Sequence, residues 1–457
     1  MDPKQEEKLR KIFNHVLKTI KPSELEIKST IAHANEIIFR LKQVVPSDVE
    51  LRIVGSIARS TNLAGDSDID IFMLFSKKYK ESELKKLGLE YAKKIVNIRK
   101  NESYEIKYAE HPYTRLYLND LNLKIDLVPA YKINNIGEMG TTVDRSPLHT
   151  EYLNKHLSDK QRDDIRVLKS LLKQHNIYGA EIAVKGFSGY LCELLVHTFG
   201  SLPNLLEEAS KFKLPIIIIP DEKKIIHDES ISKNFNSEFV VIDPVDKKRN
   251  VAAGLSAESL ARFVLIARTL IKKPSLSLFY KKSFSSEKAG GLLKNFEKKS
   301  GLKPILMMLS VPNKSEDIIW PQLDKAGRIL SSMMEKENFF IYFYNAWIKG
   351  KNGFLLYYLP NDLSRSKLVK GPNVFSGEYT NSFINKHRNS LGLLVKENII
   401  YSIEERGSYI EILKRLSKRK ELNSSRDIKM KNAKIFEKIP SRYAEDSYAA
   451  LLETISL

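Results

Sequence analysis

The chain has 457 residues, 42% hydrophobic and 29% charged, with 75 Lys and Arg against 56 Asp and Glu, a formal charge of +19. This size and apolar content exclude a disordered chain and allow about two to four domains, and no apolar run approaches the ~20 residues of a membrane-spanning helix. The basic excess favours a polyanionic partner, nucleic acid before an anionic membrane.

The charged start, MDPKQEEKLRK, is unlike a secretory signal. Residues 4–20 then carry Leu9, Ile12, Phe13, Val16, Leu17 and Ile20 at helical spacing. Pro22 breaks that pattern. Ser23 and Glu26 fit a capping box for a second helix, which is expected to bury Ile27, Ile31, Ala34, Ile38 and Leu41 and to end before Pro46. Both helices are expected to brace the first strand. Arg52-Ile53-Val54 is that strand, running into a Gly55-Ser56 turn with Arg59 one helical turn on.

Asp68-Ile69-Asp70 opens the next apolar run, Ile71 to Phe75. Side chains two apart on a strand share a face, so Asp68 and Asp70 project together. Adjacent carboxylates fronting an apolar strand repel and cost desolvation, and the usual reason to keep them is a bound cation. A helix over 82–97 follows, then strands over Tyr104–Ala109, Thr114–Leu118 and Leu123–Val128, with turns at His111-Pro112 and Asn119-Asp120. Asp126 sits between Ile125 and Leu127, a lone acid in an apolar strand. If that strand lies beside the Asp68 strand, three carboxylates meet, hard oxygen ligands suited to Mg²⁺.

Residues 144–150 read as a linker or helix entry, and 151–200 as helical. The single cysteine, Cys192, lies in apolar GYLCELLVHTF, which makes it a core residue and rules out an intramolecular disulfide or thiolate zinc site. These features point to the cytoplasm. Apolar runs alternate with charged turns over 214–227; a strand at 238–245, the charged turn Lys247-Lys248-Arg249-Asn250 and a helix near 256–272 follow. The Ser-, Lys- and Gly-rich segment from Pro274 to Ser300 reads as a boundary. Beyond it a strand over Ile305–Val311, a helix over Gln322–Glu337 and strands over Phe339–Trp347 and Phe354–Leu359 suggest a ferredoxin-like body. A helix near 379–389, a strand near 398–403 and a basic tail, Lys414–Lys434, complete the chain. The expected class is α+β, with domains at 1–143, 144–273 and 274–457.

Read singly, D-x-D is a common strand end, Gly-Ser an ordinary turn, and Lys169 a solvated lysine. Together, G-S-x-x-R, D-x-D and a later apolar-Asp-apolar strand resemble the DNA polymerase β-like nucleotidyltransferase superfamily. Within it, VGSIARSTNLAGDSDIDIF, LKIDLVPAY, DRSPLHTEYL, RVLKSLLKQHNIYGAE, KGFSGYLCELL, DPVDKKRNVAAGLS, PSLSLF and WPQL resemble the archaeal (class I) CCA-adding enzymes over most of the chain. That resemblance implies a catalytic head, a mostly helical central domain and a ferredoxin-like C-terminal body with a helical tail that grips tRNA. It implies template-independent addition of C, C and A to the tRNA 3′ end from CTP and ATP. Asp68, Asp70 and Asp126 match the family's catalytic, Mg²⁺-binding acids, the first of which is often Glu. Gly55, Ser56 and Arg59 match positions at the triphosphate; His149, Lys169, Tyr178 and Arg249 match nucleotide-contacting positions; Ser146 stands where Thr is common. Relatives suggest a homodimer. Rival readings are a poly(A) polymerase-like or oligoadenylate-type transferase and a non-catalytic RNA-binding protein.

Overall fold

A computed structural model describes residues 2–66, 68–97, 100–107, 112–280, 284–337, 339–361, 366–405, 407–423 and 425–455. The chain forms two compact units, Met1–Lys281 and Lys282–Ser456. In the first unit, α1 (Pro3–Ile20) and α2 (Glu24–Lys42) form where the apolar spacing puts them, but only α2 braces the sheet. Leu9, Phe13 and Val16 of α1 bury instead among the helices of residues 145–272, where Phe13 meets Phe279 edge-on. The buried stripe of α2 is Thr30, Ala34, Ile37 and Leu41. The expected Ile27 and Ile31 stay 36% and 41% exposed, because the helix turns its smaller Thr30 and Ala34 to the sheet. Ser23 caps α2 through the Glu26 N–H as predicted, whereas the Glu26 carboxylate accepts from the Gly65 N–H at 2.8 Å rather than closing a capping box.

Next come β1 (Glu50–Val54), the one-turn α3 (Gly55–Ala58), β2 (Asp68–Phe75), α4 (Glu81–Lys94), β3 (Glu102–Lys107), β4 (Tyr113–Leu118) and β5 (Leu123–Tyr131). Tyr108, Ala109 and His111, expected in the β3 strand and the turn after it, lie outside the described residues. The strand order is β1-β2-β5-β4-β3, with β2 and β5 parallel and the other pairs antiparallel. One sheet face packs Ile69, Ile71, Met73, Ile125 and Leu127 against α2 and α4. The other carries a smaller cluster of Val54, Phe72, Leu74, Val128 and Ala130. Burial on both faces explains why β2 after Asp70 and β5 after Asp126 read as unbroken apolar runs.

Of the two readings of residues 144–150, linker or helix entry, the second holds: they enter and form the first half of α5 (Arg145–His156). α6 (Asp159–Gln174), α7 (Gly189–Phe199) and α8 (Leu202–Ala209) follow. A small sheet, β6 (Ile216–Ile219), β7 (Lys224–Ile226) and β8 (Phe239–Val241), surrounds α9 (Glu229–Asn234) in the chain and precedes α10 (Ala257–Lys272). This half has its own core, including Leu168, Leu171, Leu195 and Phe263.

The second unit opens with a helix, α11 (Ser286–Ser300), where composition suggested only a boundary; Ser285 caps it and Ala289 and Leu293 bury its stripe. β9 (Leu302–Ser310), α12 (Glu316–Lys336), β10 (Phe343–Lys349) and β11 (Asn352–Pro360) follow. A three-stranded insert holds β12 (Ser366–Asn373), α13 (Glu378–Lys386), β13 (Gly392–Lys396) and β14 (Ile399–Glu405), before α14 (Tyr409–Ser417), β15 (Lys434–Phe436) and α15 (Ser441–Ile455). The main sheet runs β10-β11-β9-β15, all antiparallel. Omitting the insert leaves β-α-β-β-α-β, the ferredoxin-like order expected of this body. The basic stretch Lys414–Lys434 comprises the end of α14, short 3₁₀ turns and the start of β15.

Candidate active site

Parallel pairing of β2 with β5 puts Asp70 directly beside Asp126. Antiparallel pairing with β1 puts Val54 on the other side of Asp70, so the Gly55 turn lies over its carboxylate. A Cβ on Gly55 would stand 2.0 Å from Asp70 Oδ2, and Gly55 has φ +77°; both requirements select glycine. These residues open onto a cleft of about 480 Å³ lined by Gly55, Arg59, Asp70, Asp126, Ser146 and His149, with Phe72, Tyr113 and Tyr190 among its apolar walls.

Burial and the Asp126 charge, with a lesser push from Asp68, raise the Asp70 carboxyl to about 7 against the pull of Arg59 and Arg115. Asp70 keeps some residue exposure while its carboxylate is enclosed under Gly55. Asp68 is exposed at the strand start. Asp126 is 8% exposed and takes a two-pronged ion pair from Arg115 of β4, Nε and Nη2 each 2.7 Å from a carboxylate oxygen. The expected three-carboxylate cluster is thus not preassembled: among the described residues no group of three His, Cys, Asp or Glu side chains converges as a metal cage. The donors nonetheless fit a hard divalent cation. All are carboxylate oxygens, Asp126 keeps lone pairs beyond its Arg115 bonds, and the Asp70–Asp126 repulsion is of the kind a cation relieves.

Where His149 and Tyr190 line the cleft, a closed polar network centred on Asp243 backs them. Asp243, fully buried, accepts from Arg249 Nη1 at 2.9 Å, the Tyr190 hydroxyl at 3.0 Å and the Val245 N–H at 3.0 Å, and meets His149 Nε2 at 2.9 Å. Burial alone would raise the Asp243 pKa; these partners hold it well below the usual carboxylate range. Burial lowers the His149 pKa despite Asp243, so the imidazole is neutral near pH 7, stacked 4.0 Å from the Tyr190 ring.

A second buried network lies behind Arg59. Its Nε is 2.9 Å from Glu193 Oε2, off line for a hydrogen bond, and its Nη1 donates to Thr150 Oγ1 at 3.1 Å. Glu193 also meets Lys169 Nζ at 3.2 Å and the Thr61 hydroxyl. Burial would raise the Glu193 pKa, and Arg59 and Lys169 reverse that. Lys169 is 2% exposed and, like Tyr178, Ser56, Asp68 and Arg249, is not part of the cleft lining. Tyr178 neighbours it: a Cβ on Gly189 would come 3.2 Å from the Tyr178 hydroxyl and 3.7 Å from Lys169 Nζ. Ser56 lies in α3, and its carbonyl accepts from the Thr61 N–H at 2.9 Å. Residue-by-residue reading missed Asp243, Tyr190, Glu193 and Arg115. An Asp before Pro at a strand end was the available signal for Asp243, and an acid within apolar GYLCELL the signal for Glu193.

Known proteins set the class first. A nucleotidyltransferase domain model matches residues 34–149, the sheet with its paired carboxylates. A model of the second domain of tRNA nucleotidyltransferases matches 163–280, and one of the CCA-adding enzyme C-terminal domain matches 300–433. The CCA-adding enzyme of Methanocaldococcus jannaschii is 37% identical over 398 residues, 83% of this chain and 84% of that one. Those of Thermococcus gammatolerans and Pyrococcus abyssi are each 32% identical over 97% of this chain and 98% of their own. The chain belongs to the CCA-adding enzyme family of tRNA nucleotidyltransferases.

Proposed function

We propose that this enzyme builds and repairs the 3′-terminal CCA of tRNA from CTP and ATP, without a nucleic acid template. The observation that carries the chemistry is the Asp70–Asp126 pair, cross-strand neighbours facing one cleft. The tRNA 3′-hydroxyl loses its proton to solvent and attacks the α-phosphorus; a P–O bond forms to the 3′-oxygen, the bond from the α-phosphorus to the bridging oxygen breaks, and pyrophosphate leaves. Asp68, Asp70 and Asp126 would hold two Mg²⁺ ions, which supply an activated hydroxyl and charge neutralisation of the leaving pyrophosphate.

The other roles belong to side chains of the chain itself. Arg59 and the Gly55-Ser56 turn hold triphosphate oxygens. His149, neutral because it is buried, offers a hydrogen bond without adding charge. Arg249, oriented by Asp243, addresses the incoming nucleotide. Lys169 and Tyr178 stand behind that layer. The second unit binds the acceptor arm through shape and phosphate contacts, which the +19 charge supports. The family resemblance adds a homodimer and a cytoplasmic location. In Asp70→Asn, nucleotide incorporation falls by roughly a thousandfold or more, as expected when a metal ligand is lost, while tRNA binding survives. Wild-type rates in that variant would sink the assignment.

A further inference from the structure

Four of the five cations of helix α6, Arg162, Arg166, Lys169 and Lys173, are spaced four, three and four residues apart, hence on one face. Lys169 and Arg166 are 2% and 4% exposed. Only Lys173, at the end of the stripe, is exposed; the other three turn inward to the chain. Arg162 Nε donates to the Arg59 carbonyl at 3.0 Å, and Arg166 Nη2 to that of Ser60 at 2.7 Å. Lys169 Nζ donates to the Thr61 carbonyl at 3.1 Å, and Arg166 Nε to that of Asn62 at 3.0 Å. Lys173 Nζ then meets Asp66 Oδ2 at 2.9 Å. One helix face thus holds four consecutive carbonyls of the segment that carries Arg59 and leads to Asp68 and Asp70.

That segment needs holding. Ser60 has φ +53°, a left-handed backbone that a residue with a side chain rarely adopts and keeps only when its surroundings impose it. Arg166 grips the carbonyls of Ser60 and Asn62 with one planar guanidinium, a two-point contact that fixes a peptide path as a point charge cannot. Asn154 Nδ2 on α5 adds the Ala58 carbonyl at 3.2 Å.

We infer that Arg162 and Arg166 are positioning residues for nucleotide binding: α6 is a splint that fixes the backbone of residues 59–62, and with it the aim of the Arg59 guanidinium into the cleft. The inference rests on the reading that Arg59 holds triphosphate. Neither arginine touches the nucleotide; each acts through the carbonyls it holds.

The test is steady-state kinetics on full-length Arg166→Met, with KM measured separately for CTP and for tRNA and Tm measured alongside. Arg10→Met is the control. Arg10 Nη1 meets Asp164 at 2.6 Å, so it supports the same helix without touching the 59–62 carbonyls. Arg59→Met sets the scale for losing the triphosphate contact. R166M raises the KM for CTP by roughly tenfold or more, the size expected of a misaimed binding group, and leaves the KM for tRNA unchanged. R166K, which can hold only one of the two carbonyls, falls between. R10M lowers Tm and leaves the KM for CTP unchanged. A normal CTP KM in R166M, with R59M impaired, overturns the splint. An equal rise in R10M overturns it as well, because any loosening of α6 would then suffice. A normal CTP KM in R59M removes the triphosphate role of Arg59, and the splint falls with it.

Discussion

The two walls of the cleft follow opposite electrostatic plans. On the sheet wall, Asp70 and Asp126 lie side by side, like charges held together by strand register, and burial together with the Asp126 charge raises the Asp70 carboxyl to about 7. On the helical wall, Asp243 is fully buried, yet its pKa is depressed, because Arg249, Tyr190, the Val245 N–H and His149 surround it. Burial is common to both carboxylates; partners differ. An acid left short of partners fits a ligand for what arrives with the substrate, whereas a satisfied one fixes the shape that receives the substrate.

Substitutions can break this contrast. After Asp70→Asn, the largest effect is expected on the same sheet wall, from Gly55→Ala. Its new Cβ would stand 2.0 Å from Asp70 Oδ2, so the carboxylate must move; kcat/KM falls by roughly a hundredfold and the left-handed backbone adds about 1 kcal/mol of destabilisation. Single-turnover incorporation and chemical denaturation check the two parts.

On the helical wall Asp243→Asn removes the charge that orients Arg249 and turns one of two acceptor oxygens into an amide donor, either Oδ2, which serves His149 and Arg249, or Oδ1, which serves Tyr190 and the Val245 N–H. It costs about 2 kcal/mol of stability, the scale of hydrogen bonds to a charged group, and raises the KM for CTP and ATP with a smaller change in kcat. Denaturation and nucleotide titrations read it; a kcat loss with unchanged KM would place Asp243 with the reacting groups instead.

The smallest effect is a pH dependence. Burial lowers the His149 pKa below its ordinary 6.5, so the unfolded chain binds the proton more readily than the folded one. Stability from the neutral imidazole is full above about 6.5 and declines as pH falls from there towards the folded value. Wild type therefore loses Tm relative to His149→Gln between pH 7 and pH 5, and the gap between them narrows. A gap that widens on acidification would mean that Asp243 favours the charged imidazole enough to outweigh burial.

Sequence patterns reached the sheet wall more readily than the helical one. A carboxylate in an apolar strand stands out against its neighbours, so Asp68, Asp70 and Asp126 were visible from spacing alone, and strand alternation supplied their shared face. Arg115 was not visible, because it depends on β4 lying beside β5 in a particular register. On the helical wall, residues 151–200 read as helical, and Lys169 as a solvated lysine. Whether Arg166 and Lys169 are solvated or buried depends on a loop a hundred residues earlier, which no local pattern encodes. The same long-range dependence hid the partner of α1 and the rotation of α2, while α11 was obscured by Ser and Gly residues that cap or line a helix as readily as they break one. The ferredoxin-like order was legible because its strands are long and apolar, although the β12–β14 insert interrupts it.

The central claim is that this cleft completes tRNA ends and stops. The direct measurement supplies a tRNA ending at its discriminator base with CTP, ATP and Mg²⁺, and sequences the product 3′ ends. The account predicts addition of C, C and A in that order, then no further growth. Homopolymeric A tails, or growth that continues past the terminal A, would contradict it.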